Sequence, residues 1–293
     1  MAMAVAPSWV DVDGIRTRYF EAGKGEPILF ITGSHYGNTV AASPAETWEY
    51  NIGPLSQRYR VIVVDKLGHG HTENPRNGDY TQEAVHRHLV AFMRVMNLEG
   101  THVVGQSAGA LPAAALPHLV PERVRSLTVI NSSSLAPGVS LNEVNYAGCP
   151  HPAFSREGQR WLFERCAYDL SSVSENFVEA GFEVMSQPKY RESSELMEKG
   201  GLKNSLFRPD LAKVKHETLQ RIADAGSLRP TQVIWGAEDH SSSIERGLML
   251  YRTIAAHERQ AYFHVVAAAG HHPYREHPEQ FNELMTGFIG SLN

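Results

Sequence analysis

The sequence predicts an α/β protein, a mostly parallel sheet interrupted by an inserted helical block, and three observations carry that expectation. Short β-branched or apolar runs alternate with helical stretches through the first 130 or so residues, the pattern of strands joined by crossover helices. One of those runs, Thr101-His102-Val103-Val104, ends in Gly105-Gln106-Ser107-Ala108-Gly109 and an alanine-rich stretch. The alternation stops at about residue 132, is replaced by aromatic and charged residues at helical spacing, and resumes at about residue 229.

Residues 8–13 and 15–22 alternate in polarity around Gly14, which predicts a hairpin. Pro27-Ile28-Leu29-Phe30-Ile31-Thr32 is continuously apolar up to its last residue and suits a strand buried on both faces. The loop that follows Gly33, from Ser34 and His35 to Asn38, then leaves the carboxyl end of that strand, where open α/β sheets bind ligands. A helix is expected over 45–57 and a second buried strand over 60–65, the latter ending in a turn punctuated by Gly68 and Gly70. Residues 81–96 read as a helix, 101–106 and 124–130 as strands. Between 132 and 228 the spacing predicts an inserted helical cap, with Trp161, Phe163, Tyr168, Phe177, Phe182 and Met185 packed mostly in its own core. Strands are expected again over 231–235 and 261–266, separated by a helix over 244–256, and a closing helix over 278–292. The core is thus formed by 1–131 and 229–293, the cap by 132–228.

Composition narrows the function classes. With 293 residues, 42% of them hydrophobic, the chain is long enough for one large core with an insertion. A net charge of −5 offers no basic footprint for nucleic acid, and no apolar run approaches the length of a bilayer span. Cys149 and Cys166 are too few for a disulfide framework or a zinc site and fit a reducing cytoplasm. The opening segment lacks the basic region of a secretory signal, so the expectation is a cytoplasmic protein that acts on a small molecule without cofactor or metal.

The chemistry is expected at the strand ends. Gly105-Gln106-Ser107-Ala108-Gly109 is a G-x-S-x-G turn that lifts a serine hydroxyl above a sheet edge. A serine needs a base and an acid to become a nucleophile. Past later strands lie Glu238 and Asp239, then His271 and His272; the order Ser107, acid, His is that of one triad architecture. Asp239 is preferred to Glu238 because a short side chain just past a strand is more easily locked, and His271 to His272 because it follows Gly270 directly. The backbone N–H groups of Ser34 and Ala108 are the expected oxyanion hole. His35, Asn38, Gln106, Trp161, Arg165 and His272 are the expected substrate contacts.

Jointly, these segments resemble the α/β-hydrolases: the strand and Gly33 loop, Asp65-Lys66-Leu67-Gly68-His69-Gly70, the serine turn, the cap, Trp235 to Asp239, Gly270-His271, and Glu276-His277-Pro278. A serine at 107 separates the chain from the aspartate-based dehalogenases and epoxide hydrolases. Asn97-Leu98 and the run from Glu276 to Asn282 are similar to meta-cleavage product hydrolases. That resemblance implies cleavage of a carbon–carbon bond in a 2-hydroxy-6-oxo-dienoate from aromatic ring fission, and a homodimer. The chain departs from it at Gln106, His272, the Thr32 to His35 loop and Gly181, which keeps an esterase or lactonase, and a non-catalytic ligand receptor, as alternatives. The cap arginine that pairs with a substrate carboxylate aligns near Gly181, leaving Arg160, Arg165 or Arg191 to supply that charge.

Overall fold

Each apolar run forms a strand, and their side chains alternate between two packed faces. The computed structural model describes residues 5–138 and 147–292; Met1 to Ala4, residues 139–146 of the expected cap, and Asn293 lie outside the described residues. Among the described residues, eight strands form one sheet: β1 (Ser8–Val12), β2 (Ile15–Ala22), β3 (Pro27–Ile31), β4 (Arg60–Val64), β5 (Thr101–Gln106), β6 (Val124–Ile130), β7 (Thr231–Gly236) and β8 (Ala261–Val266). Their order is β1-β2-β4-β3-β5-β6-β7-β8; the pairings of β2 with β1 and β4 are antiparallel and the rest parallel.

The period of two explains why these runs are continuously apolar. Leu29, Ile31, Ile62 and Val64 face one cluster, while Ile28, Phe30, Val61 and Val63 face the other. Helices cover both. On the first face pack α2 (Gln82–Val95) through Leu89 and Phe92, α3 (Ala110–Leu119) through Leu111 and Ala114, and α8 (Ile244–Ala255) through Leu250 and Ile254. On the second lie α1 (Ile52–Leu55), α10 (Pro278–Gly290) and, before it, the single turn α9 (Pro273–Glu276). Each fully buried aliphatic side chain contributes about 1.5–3 kcal/mol.

Between β6 and β7 the described residues hold helices and no strand: α4 (Arg156–Cys166), α5 (Glu175–Ser186), α6 (Pro188–Glu198), a π turn (Lys203–Phe207) and α7 (Arg208–Ala225). Ser155 and Ser174 cap α4 and α5 by accepting the N–H groups of Gly158 and Phe177. Phe163, Phe177 and Met185 are buried as expected.

Two expectations fail. The helix over 45–57 is broken into a 3-10 turn (Ala45–Trp48) and α1; Glu49, Tyr50 and Asn51 separate the two, and Asn51 faces inward, donating to the Tyr274 carbonyl and to Asn282. Tyr168 is exposed rather than in a cap core. It follows the end of α4, in a turn whose Tyr168 and Asp169 N–H groups are accepted by Glu276 Oε2 at 2.7 and 2.9 Å, so its ring is left outside.

Candidate active site

The residues expected to carry chemistry converge where β5, β7 and β8 end. Ser107 has φ +52°, a left-handed conformation that a non-glycine residue adopts only under constraint. The constraint is packing on both sides of the turn. A Cβ on Gly105 would lie 2.5 Å from the Gly109 carbonyl oxygen, and one on Gly109 would lie 2.5 Å from the Thr32 carbonyl oxygen, so only glycine lets β5, the β3 loop and α3 approach this closely. Ser132 Oγ donates to the Ser107 carbonyl at 2.6 Å and holds the turn from β6.

His271 stands at the β8 exit with its Nδ1 2.9 Å from Asp239 Oδ2 and 3.1 Å from Ser241 Oγ. Its backbone is fixed at both ends: its N–H is accepted by the Cys166 carbonyl at 2.7 Å, and its own carbonyl accepts from Gln106 Nε2 at 3.2 Å. Asp239 is buried and fully engaged, accepting from Asn131 Nδ2 at 2.7 Å and from the Ser241 N–H at 2.8 Å. Asn131 in turn accepts the Gly236 N–H at 3.0 Å, which ties the carboxylate to β6 and β7 together. Ser107 and His271 line one cavity of about 820 Å³, although among the described residues no hydrogen bond joins them. Such contacts commonly tighten only when substrate is bound.

That cavity is also lined by Ser34 and Ala108, whose N–H groups have no acceptor among the described residues. Its apolar wall comes from Leu162, Phe163, Phe207 and Leu211, and Lys203, Arg208 and Lys215 also line it, together with Glu198, which pairs with Lys203. Burial, reinforced by the charge on Lys66, pushes His35 down to about 3; it is neutral, with Nε2 3.0 Å from Ser134 Oγ. Burial likewise pushes His272 well below its ordinary range, with the charges of His271 and Arg275 adding to the effect. Neutral His272 packs against Phe163 at 5.3 Å.

With this geometry in place, the similarity to known proteins is informative. A family profile described as the alpha/beta hydrolase fold matches residues 26–165. The 2-hydroxymuconate semialdehyde hydrolase of Pseudomonas putida is 29% identical over 96% of this chain and 92% of its own. The 2-hydroxy-6-oxo-6-(2'-aminophenyl)hexa-2,4-dienoic acid hydrolase of Metapseudomonas resinovorans is 27% identical over 98% and 91%. Among solved structures, a variant of the meta-cleavage product hydrolase from Pseudomonas fluorescens IP01 superposes with a TM-score of 0.78 at 26% identity over 99% of both chains. This chain has the α/β-hydrolase fold.

On that fold, the expected contacts divide cleanly. His35, Asn38, Gln106 and His272 line the cavity, whereas Trp161 and Arg165 are not among its lining residues. The correction follows from helix geometry. Leu162, Phe163 and Cys166 share the inward face of α4, so Trp161 and Arg165, four residues apart on a neighbouring face, stack on each other instead with the guanidinium 5.1 Å from the ring. Arg160 pairs with Glu164 and Glu175, and Arg191 lies over Phe154, so neither supplies the cavity's charge.

Sequence reading missed Asn131, Ser132, Ser241 and Lys66. Asn131 and Ser132 carried a usable signal, as polar residues directly beyond the carboxyl end of a buried strand. Lys66 carried another: a cation directly after a buried strand and beside Asp65, 2% exposed in the fold. Among the described residues, no helix is long and apolar enough to cross a membrane.

Proposed function

We propose that this α/β-hydrolase is a serine hydrolase whose triad is Ser107, His271 and Asp239 and whose oxyanion hole is the pair of N–H groups of Ser34 and Ala108. The observation that carries the reading is the 2.9 Å contact between His271 Nδ1 and Asp239 Oδ2 beside a strained Ser107 in the same cavity. The relatives' names favour the carbon–carbon bond of a 2-hydroxy-6-oxo-dienoate as the scissile bond, in the breakdown of aromatic compounds.

In this mechanism Ser107 Oγ attacks the 6-oxo carbon and His271 Nε2 takes the hydroxyl proton. Asp239 keeps the proton on Nδ1 and stabilises the imidazolium. The carbonyl oxygen becomes an oxyanion facing Ser34 and Ala108, where each donor is worth roughly 3–4 kcal/mol. Collapse breaks the carbon–carbon bond, and the leaving carbon receives the proton from His271. Water, deprotonated by His271, then attacks the acyl-serine and restores the hydroxyl. Three side chains and two amides carry every step, so the reading includes no cofactor. It also takes 132–228 as a cap over a core made of 1–131 and 229–293, and the protein as a cytoplasmic homodimer.

The test compares turnover of a ring-fission dienoate and of p-nitrophenyl acetate by the parent protein, Ser107→Ala and His271→Ala. Both variants should lose about 10³-fold or more in kcat with the fold intact by circular dichroism. Preference for the ester would move the assignment to an esterase or lactonase. Near-normal turnover in both variants would remove the triad altogether.

A further inference from the structure

A lysine is buried behind the loop that carries Ser34. Lys66 sits two residues past β4, 2% exposed, and its ammonium donates to the carbonyl oxygens of Gly33 and, at 2.8 Å, of Ser34. Those two oxygens belong to consecutive peptide units, and the chain has no cis peptide among the described residues. In a trans peptide the N–H lies on the edge opposite the C=O. The N–H groups of Ser34 and His35 therefore point away from Lys66.

The backbone at Ser34 has φ +68°, a left-handed residue of the kind that turns successive N–H groups toward one side and forms an anion-binding concavity. The loop lies directly against the serine turn: a Cβ on Gly33 would come within 3.1 Å of Ser107 Cβ, and Ser34 and His35 line the same cavity as Ser107. Neither the Ser34 nor the His35 N–H has an acceptor among the described residues. The loop thus presents two unspent donors to the cavity and two anchored carbonyls to a cation.

We propose that Lys66 is a positioning residue for the oxyanion hole, its ammonium holding the Gly33–Ser34 and Ser34–His35 peptides with their N–H groups toward Ser107 and polarising them toward developing negative charge. A fixed charge behind the donors acts through a water-poor region and is in place before the reaction begins. The titratable groups that interact with it are Asp65 beside it, which favours the ammonium, and His35 and His69, both driven neutral chiefly by burial. Burial pulls Lys66 down to about 7, so its charge is lost within an accessible pH range. This inference rests on the serine hydrolase reading above.

The experiment follows p-nitrophenyl acetate hydrolysis by the parent protein, Ser107→Ala, Lys66→Met and Lys66→Arg. Lys66→Met should lower kcat by about 10²-fold, the effect of losing an oxyanion donor, with KM changed by less than about threefold. Lys66→Arg keeps a charge that does not titrate and should recover at least about a tenth of the parent kcat. It should also remove the fall in kcat expected of the parent protein between about pH 6 and about pH 8, where Lys66 loses its charge, a readout that simple packing would not move. Should Lys66→Met fail to fold, the parent and Lys66→Arg pH profiles decide alone. Ser107-dependent turnover that is unchanged by Lys66→Met, or an alkaline limb identical in the parent protein and Lys66→Arg, overturns the role of Lys66 and leaves the triad standing. Turnover that survives Ser107→Ala overturns the hydrolase reading instead.

Discussion

Acidifying the protein from about pH 7.5 to about pH 5.5 should remove about 4 kcal/mol of folding stability through three histidines far from the cavity chemistry. His86, His88 and His102 are at most 8% exposed, and burial pushes each from 6.5 down to about 4. His88 has Nε2 2.9 Å from Thr17 Oγ1 and no hydrogen-bond partner at Nδ1 among the described residues; His102 has Nδ1 2.8 Å from Ser126 Oγ, and its Nε2 lies 3.9 Å from Glu26 Oε2, whose charge only partly offsets the burial. A histidine depressed in the folded state contributes nothing to pH dependence well above 6.5. As pH falls through 6.5 the unfolded chain gains a proton that the native state refuses, and stability is lost until the folded value near 4 is reached. At about pH 5.5 the unfolded state is favoured by RT ln 11, about 1.4 kcal/mol per side chain, against less than about 0.1 at pH 7.5. The assay is urea unfolding at both pH values for the parent protein, His88→Gln and His102→Gln. Each variant should reduce the pH-dependent loss by about 1.3 kcal/mol, whatever its own baseline stability. A loss below about 1 kcal/mol in the parent protein, or one that both variants leave unchanged, would refute the reasoning.

Three further outcomes follow from the site. Asn131→Ala removes a charge-assisted bond to Asp239 and orphans the buried Gly236 N–H; chemical denaturation should show a loss of about 2–4 kcal/mol, and kcat should fall at least about tenfold. Gly105→Ala places a methyl 2.5 Å from the Gly109 carbonyl oxygen and 2.6 Å from Ala110 Cα, so the serine turn cannot close; thermal unfolding should report a loss of about 1–3 kcal/mol or more, together with loss of turnover. Lys215 lines the cavity with a carbonyl, that of Ser133 at 3.0 Å, as its hydrogen-bond partner. Lys215→Met should therefore raise KM for an anionic dienoate by about tenfold and leave KM for neutral p-nitrophenyl acetate unchanged, as steady-state kinetics on the two substrates will show.

The strands and the convergence of Ser107, Asp239 and His271 on one rim were legible because both are signalled by short-range patterns. A strand buried on both faces must be apolar at every position, and Val61 to Val64 satisfy both clusters with no knowledge of what packs on them. Gly105 is required by clashes within its own turn, with Gly109 and Ala110, and this local G-x-S-x-G pattern is readable even though Gly109 answers to the distant carbonyls of Ile31 and Thr32. Asp239 and His271 are found because both lie just past later strand ends, where a parallel sheet delivers them to one rim. The break at 49–51 was not legible, since Asn51 is buried only because α10 brings Asn282 beside it, 231 residues away.

The substrate contacts mark where local pattern stops being sufficient. A helix lying on a cavity offers about a third of its residues to it, and the sequence of α4 gives an aromatic and a cation on one face and Leu162, Phe163 and Cys166 on another. Hydrophobicity alone does not choose between Trp161 and Phe163. What chooses is the docking of α4 against the His271 loop, fixed by the Cys166 carbonyl accepting the His271 N–H and by Glu276 bridging Gly270 N–H to those of Tyr168 and Asp169. Once Cys166 is pinned beside His271, the residues three and four positions earlier, Phe163 and Leu162, must follow it inward, and Trp161 and Arg165 are carried out of the cavity lining. The cavity's cations are then Lys203, Arg208 and Lys215, from the π turn and the helix that continues it, with Glu198 paired to Lys203. The same bonds that hold His271 in place therefore also decide which face of the helical block lines the cavity.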